Sequence, residues 1–303
     1  MPLAYVATPV PIPGRVATDD ISEHVHPRHG THIGRPGMPG DDIEGNILFA
    51  DIDGNTLHYD SYGEGPPIVF IHGLGGSLNV WHGVRQPMLQ HHHTVAMDLR
   101  GHGRSQGKGK FSIEAWSKDV QRLMRHLELS AVTLVGHSLG TLVAQHLAQH
   151  APDLVDQLVL VGGISYFQPP TVEAYRKRAD EVEANGMDVL VDDWLAGAVS
   201  PQTHATQAGA VGLLRELFLR NDAISYAKSC RALSKAPPIR RDEIGHPTLI
   251  IAGAHDRSTP LAMAEELKSS IPVSRVKVLA DVGHWMPVEA PGAVAAAILE
   301  YLT

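Results

Sequence analysis

The sequence predicts an α/β architecture, a mostly parallel twisted sheet with helices on both faces and a helical cap insertion, and three observations carry that prediction. From residue 67 onward, short β-rich runs alternate with segments of helical period, the mark of a parallel sheet whose crossovers are helices. The runs are nearly continuous in Val, Ile and Leu, as strands buried on both faces must be. The alternation stops between residues 165 and about 243, where helical patterns occur without a convincing strand.

In chain order, residues 1–44 are rich in Pro, Gly and His and have little periodicity that could bury a face. They read as an irregular arm, lying over the domain or partly disordered. Residues 46–62 hold two apolar runs around Asp53-Gly54-Asn55, a turn signal that predicts a leading antiparallel hairpin. Strands are predicted at 67–71, 94–97, 131–135, 157–161, 248–252 and 276–279. Between them Ile113, Trp116, Val120, Leu123, Met124 and Leu127 recur at helical spacing, as do Leu139, Leu142, Val143, His146 and Leu147. Pro291 suits the first turn of a last helix that uses Val294, Ile298, Leu299 and Leu302. Within the insertion, Thr171 is placed to cap a helix that Gly186 ends, and further helices are expected near 189–195, 211–220 and 222–234, before Pro237-Pro238. The expected organisation is a core domain in two parts, 45–164 and 244–303, with a cap, 165–243, above the strand ends.

Composition narrows the function. The chain has 303 residues, 43% hydrophobic and 19% charged, an ordinary globular balance with enough length for a sizeable core. Its formal charge is −8, from 25 Lys+Arg against 33 Asp+Glu, and no basic cluster is dense enough for a phosphate stripe, so nucleic acid is not an expected partner. No apolar stretch is long enough to span a bilayer, and none follows a basic N-terminus, so no membrane role is expected. The lone Cys230 forms no internal disulfide and fits a reducing compartment, which makes a cytoplasmic location the default. Nothing in the pattern bears against a homo-oligomer. Among 19 histidines, His91-His92-His93 invites a metal reading, but the run lies between a helical segment and a strand and reads better as a solvated loop.

The strongest chemical signal is Gly136-His137-Ser138-Leu139-Gly140, directly after a predicted strand and directly before an amphipathic helix. In that setting the pentapeptide is a nucleophile elbow: a sharp turn holds the serine in a strained conformation, and small flanking residues avoid neighbouring backbone. The helix that follows points amide N–H groups toward the site where negative charge would develop.

Here the sequence resembles the α/β-hydrolase family, over roughly residue 47 to the C-terminus. His72-Gly73-Leu74-Gly75-Gly76 follows an early strand, where the family places half of its oxyanion hole. Residues 98–105, Asp-Leu-Arg-Gly-His-Gly-Arg-Ser, look like the family's Asp-x-x-Gly-x-Gly-x-Ser turn, whose role is mainly structural. Gly283-His284-Trp285 follows the last predicted strand, where the family carries its catalytic histidine.

The resemblance implies a triad. A serine hydroxyl needs a base within reach, and the base needs an orienting acceptor. His284 is the expected base and Asp256, just beyond the 248–252 strand, the expected acid, giving the chain order Ser, Asp, His. The strand before it leads into Gly162-Gly163-Ile164-Ser165, which offers no carboxylate. Asp281 reads as a turn residue and His255 as a bystander. The backbone N–H groups of Leu74 and Leu139 are the expected oxyanion hole. The glycines near Leu74 lack the lysine and Ser/Thr of a phosphate loop.

A serine at the elbow argues against relatives that use an aspartate there. Residues 74–81 and 226–233 resemble 3-oxoadipate enol-lactonases and nearby carboxylesterases, which implies an ester or lactone substrate and no cofactor or metal. Arg231 is a candidate anchor for a substrate carboxylate. His137, Trp81, Trp194 and Trp285 are further substrate-binding candidates, with Met286, Leu213, Leu214 and Leu217 as apolar company. Carbon–carbon bond hydrolysis by the same triad and a ligand receptor on a hydrolase scaffold are the competing readings.

Overall fold

The computed structural model describes residues 48–303, so the predicted arm lies outside the described residues. Eight strands form one sheet: β1 (Leu48–Ile52), β2 (Asn55–Tyr62), β3 (Pro67–Ile71), β4 (His93–Met97), β5 (Val132–His137), β6 (Val155–Val161), β7 (Thr248–Gly253) and β8 (Ser274–Leu279). Their spatial order is β1-β2-β4-β3-β5-β6-β7-β8. β2 pairs antiparallel with β1 and β4, and the pairs from β4 to β8 are all parallel.

The hairpin forms as its turn signal requires. Ile52 faces Asn55 across a two-residue loop, and Asp53 and Gly54 both have positive φ, 51° and 74°, the conformation that matches strand twist. In β3 and β5, consecutive residues are buried without a break, which demands cover on both faces. β8 departs from that expectation. It is the sheet's edge, Val276 is only half-buried, and Val278 is 46% exposed.

Most helices sit where periodicity put them. Ser112 caps Ile113–His126, its hydroxyl accepting from the Ala115 amide at 3.2 Å, and Trp116, Val120, Leu123 and Met124 are buried. Leu139–His150 packs against it and on β5. Pro291 opens Pro291–Leu302, and the inward residues Val294 and Ile298 are fully buried.

Between β6 and β7 the chain is helical: Pro169–Asn185, Val191–Ala198, Pro201–Thr206, Ala208–Leu219 and Ala223–Leu233, with short 3-10 turns. Two details correct the sequence reading. Gln168, not Thr171, precedes the first of these helices, because Pro169-Pro170 occupy its opening turn, where a missing N–H costs nothing. The short helix Pro201–Thr206 was not expected, although Ser200 caps it by accepting from the Thr203 amide. Among the described residues no helix is long and apolar enough to cross a membrane.

Candidate active site

The turn at Ser138, the candidate nucleophile, is built by β5, its neighbours and the helix that follows. β5 runs two residues further than predicted, because Gly136 and His137 still pair with Leu160 and Val161 of β6. Ser138 then turns sharply, with φ 51° and ψ −115°, a strained conformation for a non-glycine residue. Its amide donates to Val161 O at 3.0 Å, and its carbonyl accepts from the amide and hydroxyl of Thr141, at 2.8 and 2.6 Å. The turn is closed so tightly that a Cβ on Gly136 would lie 2.4 Å from Gly140 O, and one on Gly140 would lie 2.3 Å from Ile71 O.

His284 and Asp256 come from the loops after β8 and β7. His284 Nδ1 donates to Asp256 Oδ2 at 2.8 Å. That carboxylate is otherwise fully engaged: Oδ1 accepts from the Ser258 and Thr259 amides, each at 2.8 Å, and Oδ2 accepts from the Thr259 hydroxyl at 2.6 Å. Burial alone would raise the Asp256 pKa, yet the adjacent imidazole and these donors hold it below the usual carboxylate range. Asp256 therefore stays ionised and fixes the imidazole by its Nδ1 side, leaving Nε2 to face elsewhere. Ser138 and His284 line the same cavity, about 320 Å³, while Asp256 sits behind the imidazole. Asp281 is an exposed turn residue with φ 57°, near the exposed His255 and apart from this pair.

The glycine-rich loop lies against the elbow. His72 is buried, and because its Nε2 accepts from the Leu99 amide at 3.0 Å, its Nδ1 carries the proton given to Gly73 O at 2.7 Å. Leu74 lines the cavity beside Ser138. Leu139 is the first residue of its helix, so its N–H has no intrahelical acceptor. The loop is also tied down by Asp98, whose carboxylate accepts from the Leu78 and Arg104 amides and from His58 Nδ1, at 2.7, 2.8 and 2.7 Å. The Asp98 turn is thus structural. A second cavity of about 340 Å³ opens beside His58, Asn79 and Arg104, and it contains none of Ser138, Asp256 or His284.

The remaining candidates divide. Trp194 and Trp285 line the cavity that holds Ser138 and His284, their rings 5.4 Å apart. Trp81 does not: it is fully buried against Phe70, a core residue. His137 is also fully buried, and burial depresses its pKa to about 3. Its Nε2 donates to His284 O at 2.8 Å, so it supports the imidazole's backbone instead of touching ligand. Arg231 lies on the outside of the helical insertion, paired with Asp180 at 2.7 Å and with Glu183 at 2.5 Å, away from the serine. Met286 and Leu214 are core, Leu213 is exposed, and Leu217 borders the second cavity.

Three contributors were missed by sequence reasoning. Arg178 and Tyr175, one turn apart on Pro169–Asn185, face the cavity. Their signal was the spacing of Thr171, Ala174, Tyr175 and Arg178, which puts all four on one helix face. Glu289, 4% exposed, accepts three backbone amides: Gly283 and Ser200 on Oε2, at 3.0 and 2.9 Å, and Trp285 on Oε1 at 2.9 Å. His284 N itself donates to Ala198 O at 2.8 Å. The histidine loop is therefore stitched to the helical insertion. Asn221 makes a similar tie on the other side, donating to Gly75 O at 2.9 Å.

Comparison with known proteins agrees with this architecture. The chain is 29% identical over 244 residues to 3-oxoadipate enol-lactonase 2 of Acinetobacter baylyi, covering 78% of this chain and 90% of that one. The enol-lactonase from Burkholderia xenovorans LB400 superposes with a TM-score of 0.80 at 27% identity, covering 84% of this chain and 99% of its own. A thermophilic esterase from Thermogutta terrifontis gives a TM-score of 0.79 at 26% identity, over 84% and 96%. The profile described as alpha/beta hydrolase fold matches residues 66–206 and 211–291, most of the chain and both flanks of the helical insertion. The protein belongs to the α/β-hydrolase fold family.

Proposed function

We propose that the protein is a serine hydrolase that cleaves a carboxylic ester or lactone through an acyl-enzyme on Ser138. The observation that carries this reading is the Asp256–His284 pair, hydrogen-bonded at 2.8 Å, opening onto the same cavity as a serine in elbow conformation. His284 Nε2 takes the hydroxyl proton as Ser138 Oγ attacks the carbonyl carbon. The tetrahedral oxyanion is held by the Leu74 and Leu139 amides, and the alkoxide leaves with the proton returned by His284. Water, deprotonated by the same imidazole, then attacks the acyl-enzyme, releasing the acid and restoring Ser138 O–H. Asp256 stabilises the imidazolium formed in each half. The helical insertion, 165–243, acts as the cap over this chemistry and sets which acyl groups fit. Similarity to enol-lactonase and esterase relatives supports ester or lactone chemistry as the substrate class.

The test is Ser138→Ala with a short p-nitrophenyl ester, paired with fluorophosphonate labelling and peptide mapping. Turnover is expected to vanish, with a melting curve close to the parent's and the label confined to the Ser138 peptide. Undiminished turnover, or a label elsewhere, overturns the assignment.

A further inference from the structure

Arg178 occupies an unusual place in this molecule. The cap helix Pro169–Asn185 carries charge on two faces. One face sends Asp180 and Glu183 outward, where they pair with Arg231. The other face, Thr171, Ala174, Tyr175 and Arg178, lines the cavity that holds Ser138 and His284. Arg178 is half-buried there, its guanidinium carbon 5.6 Å from the centre of the Tyr175 ring.

Its surroundings provide no counter-ion. Among the described residues no carboxylate forms an ion pair with Arg178, in contrast to Arg85, Arg100 and Arg231, which all have one. Burial pushes the Tyr175 phenol and the Cys230 thiol up to about 12, so both are neutral at physiological pH. Burial raises the Tyr226 phenol as well, so this hydroxyl beside the guanidinium is neutral and supplies no counter-charge. Asp256 is committed to His284 and to Thr259. The other charged groups on the cavity wall, Asp193 and Arg257, are exposed. A partly desolvated guanidinium without a counter-ion is costly, and the ligand that best relieves it is a planar anion able to accept two parallel N–H bonds.

We propose that Arg178 binds a free carboxylate carried on the substrate, so that the enzyme selects half-esters or lactones of dicarboxylic acids over neutral esters of similar length. This inference rests on the hydrolytic reading of Ser138, because it places the carboxylate in the same cavity as the scissile carbonyl. The cavity, about 320 Å³, suits a short chain between the two. Arg178 touches the part of the substrate that does not react, so its contribution belongs to specificity and binding.

The experiment compares the mono-p-nitrophenyl ester of adipic acid with p-nitrophenyl hexanoate on the parent, Arg178→Gln and Arg178→Lys. The parent is expected to favour the anionic ester in kcat/KM by on the order of tenfold or more. Arg178→Gln should lose that preference through KM, with kcat and the neutral ester changed by less than about threefold, and Arg178→Lys should restore part of it. A second arm needs no turnover: monomethyl adipate is titrated into Ser138→Ala and Ser138→Ala/Arg178→Gln, read by the fluorescence of Trp194 and Trp285. Binding should weaken on the order of tenfold in the double variant. Failure of the parent to hydrolyse either ester, with no label on Ser138, would count against the catalytic reading alone, since the binding arm still decides the role of Arg178. A parent with no preference for the anionic ester, a preference that survives Arg178→Gln, or binding indifferent to that change overturns the proposal.

Discussion

Replacing Glu289 with glutamine should loosen His284, the proposed general base, without touching it. The carboxylate accepts three backbone N–H groups, from Gly283, Trp285 and Ser200, and is almost wholly buried. A glutamine keeps only one acceptor oxygen. If its NH2 takes the place of Oε1, the Trp285 amide is orphaned; the opposite rotamer orphans both Gly283 and Ser200. The milder case leaves one buried donor unsatisfied, about 1–3 kcal/mol. It also turns two charge-assisted bonds into neutral ones, roughly 1 kcal/mol each. The expected loss is about 3–5 kcal/mol, a large share of the roughly 5–15 kcal/mol that keeps a domain folded. At roughly 2–4 °C per kcal/mol, the melting midpoint should fall by about 6–20 °C.

The same change should reach the chemistry, because His284 lies between two of the residues whose amides lose support. Misplacing a catalytic group by about 1 Å can cost on the order of a hundredfold, so kcat on a p-nitrophenyl ester should fall at least about tenfold while KM changes less. Calorimetry and steady-state kinetics on one preparation check both. A melting shift below about 2 °C together with an unchanged kcat would refute this account of the loop.

Three further outcomes follow from other sites. Gly140→Ala puts a methyl 2.3 Å from Ile71 O, a backbone atom that cannot rotate away, so stability should drop by about 3 kcal/mol or more and soluble yield should fall with it, as a denaturation curve would show. Arg231→Ala should leave KM for both ester types unaltered and lower stability by less than about 1 kcal/mol, because its pairs with Asp180 and Glu183 lie on the outer surface. His102 and His137 are buried with pKa values lowered to about 3, mainly by burial, so the unfolded chain binds protons first as pH falls through about 6.5. The stability they contribute is whole above that pH and is lost progressively below it. Between pH 7.5 and 5.5 the pair should cost about 3 kcal/mol, and urea midpoints that stay level across this range would contradict it.

Much of the architecture was legible because the strands announce themselves chemically. Runs such as Ile68–Val69–Phe70–Ile71 have no polar face to present, so they must lie inside a covered sheet. The edge position of β8 was not legible, since Val276 and Val278 read like core until the sheet order is known. In the candidate site, Ser138 stood out because a strained strand-to-helix turn needs small flanking residues, whereas Asp256 and His284 were expected from the resemblance of their loops to those of the family. Arg178 and Arg231 lie on adjacent helices, and which of them faces the cavity is a question of helix rotation. The spacing from Thr171 to Arg178 contained that answer. Trp81 and Trp194 differ only in what surrounds them, and composition cannot separate an aromatic core residue from an aromatic wall. Glu289 was invisible because its partners are amides, which every residue carries.

The bonds from His284 N to Ala198 O and from Ser200 N to Glu289 have a mechanical consequence. Lifting the insertion at that edge would drag the imidazole out of register or strand a buried carboxylate. Any opening that keeps His284 in place must therefore leave residues 198–200 where they are, as a book turns on its spine. The exposed wall at Ala174, on the first helix of the insertion, is held by neither bond. A movement of that wall would leave His284 in its place.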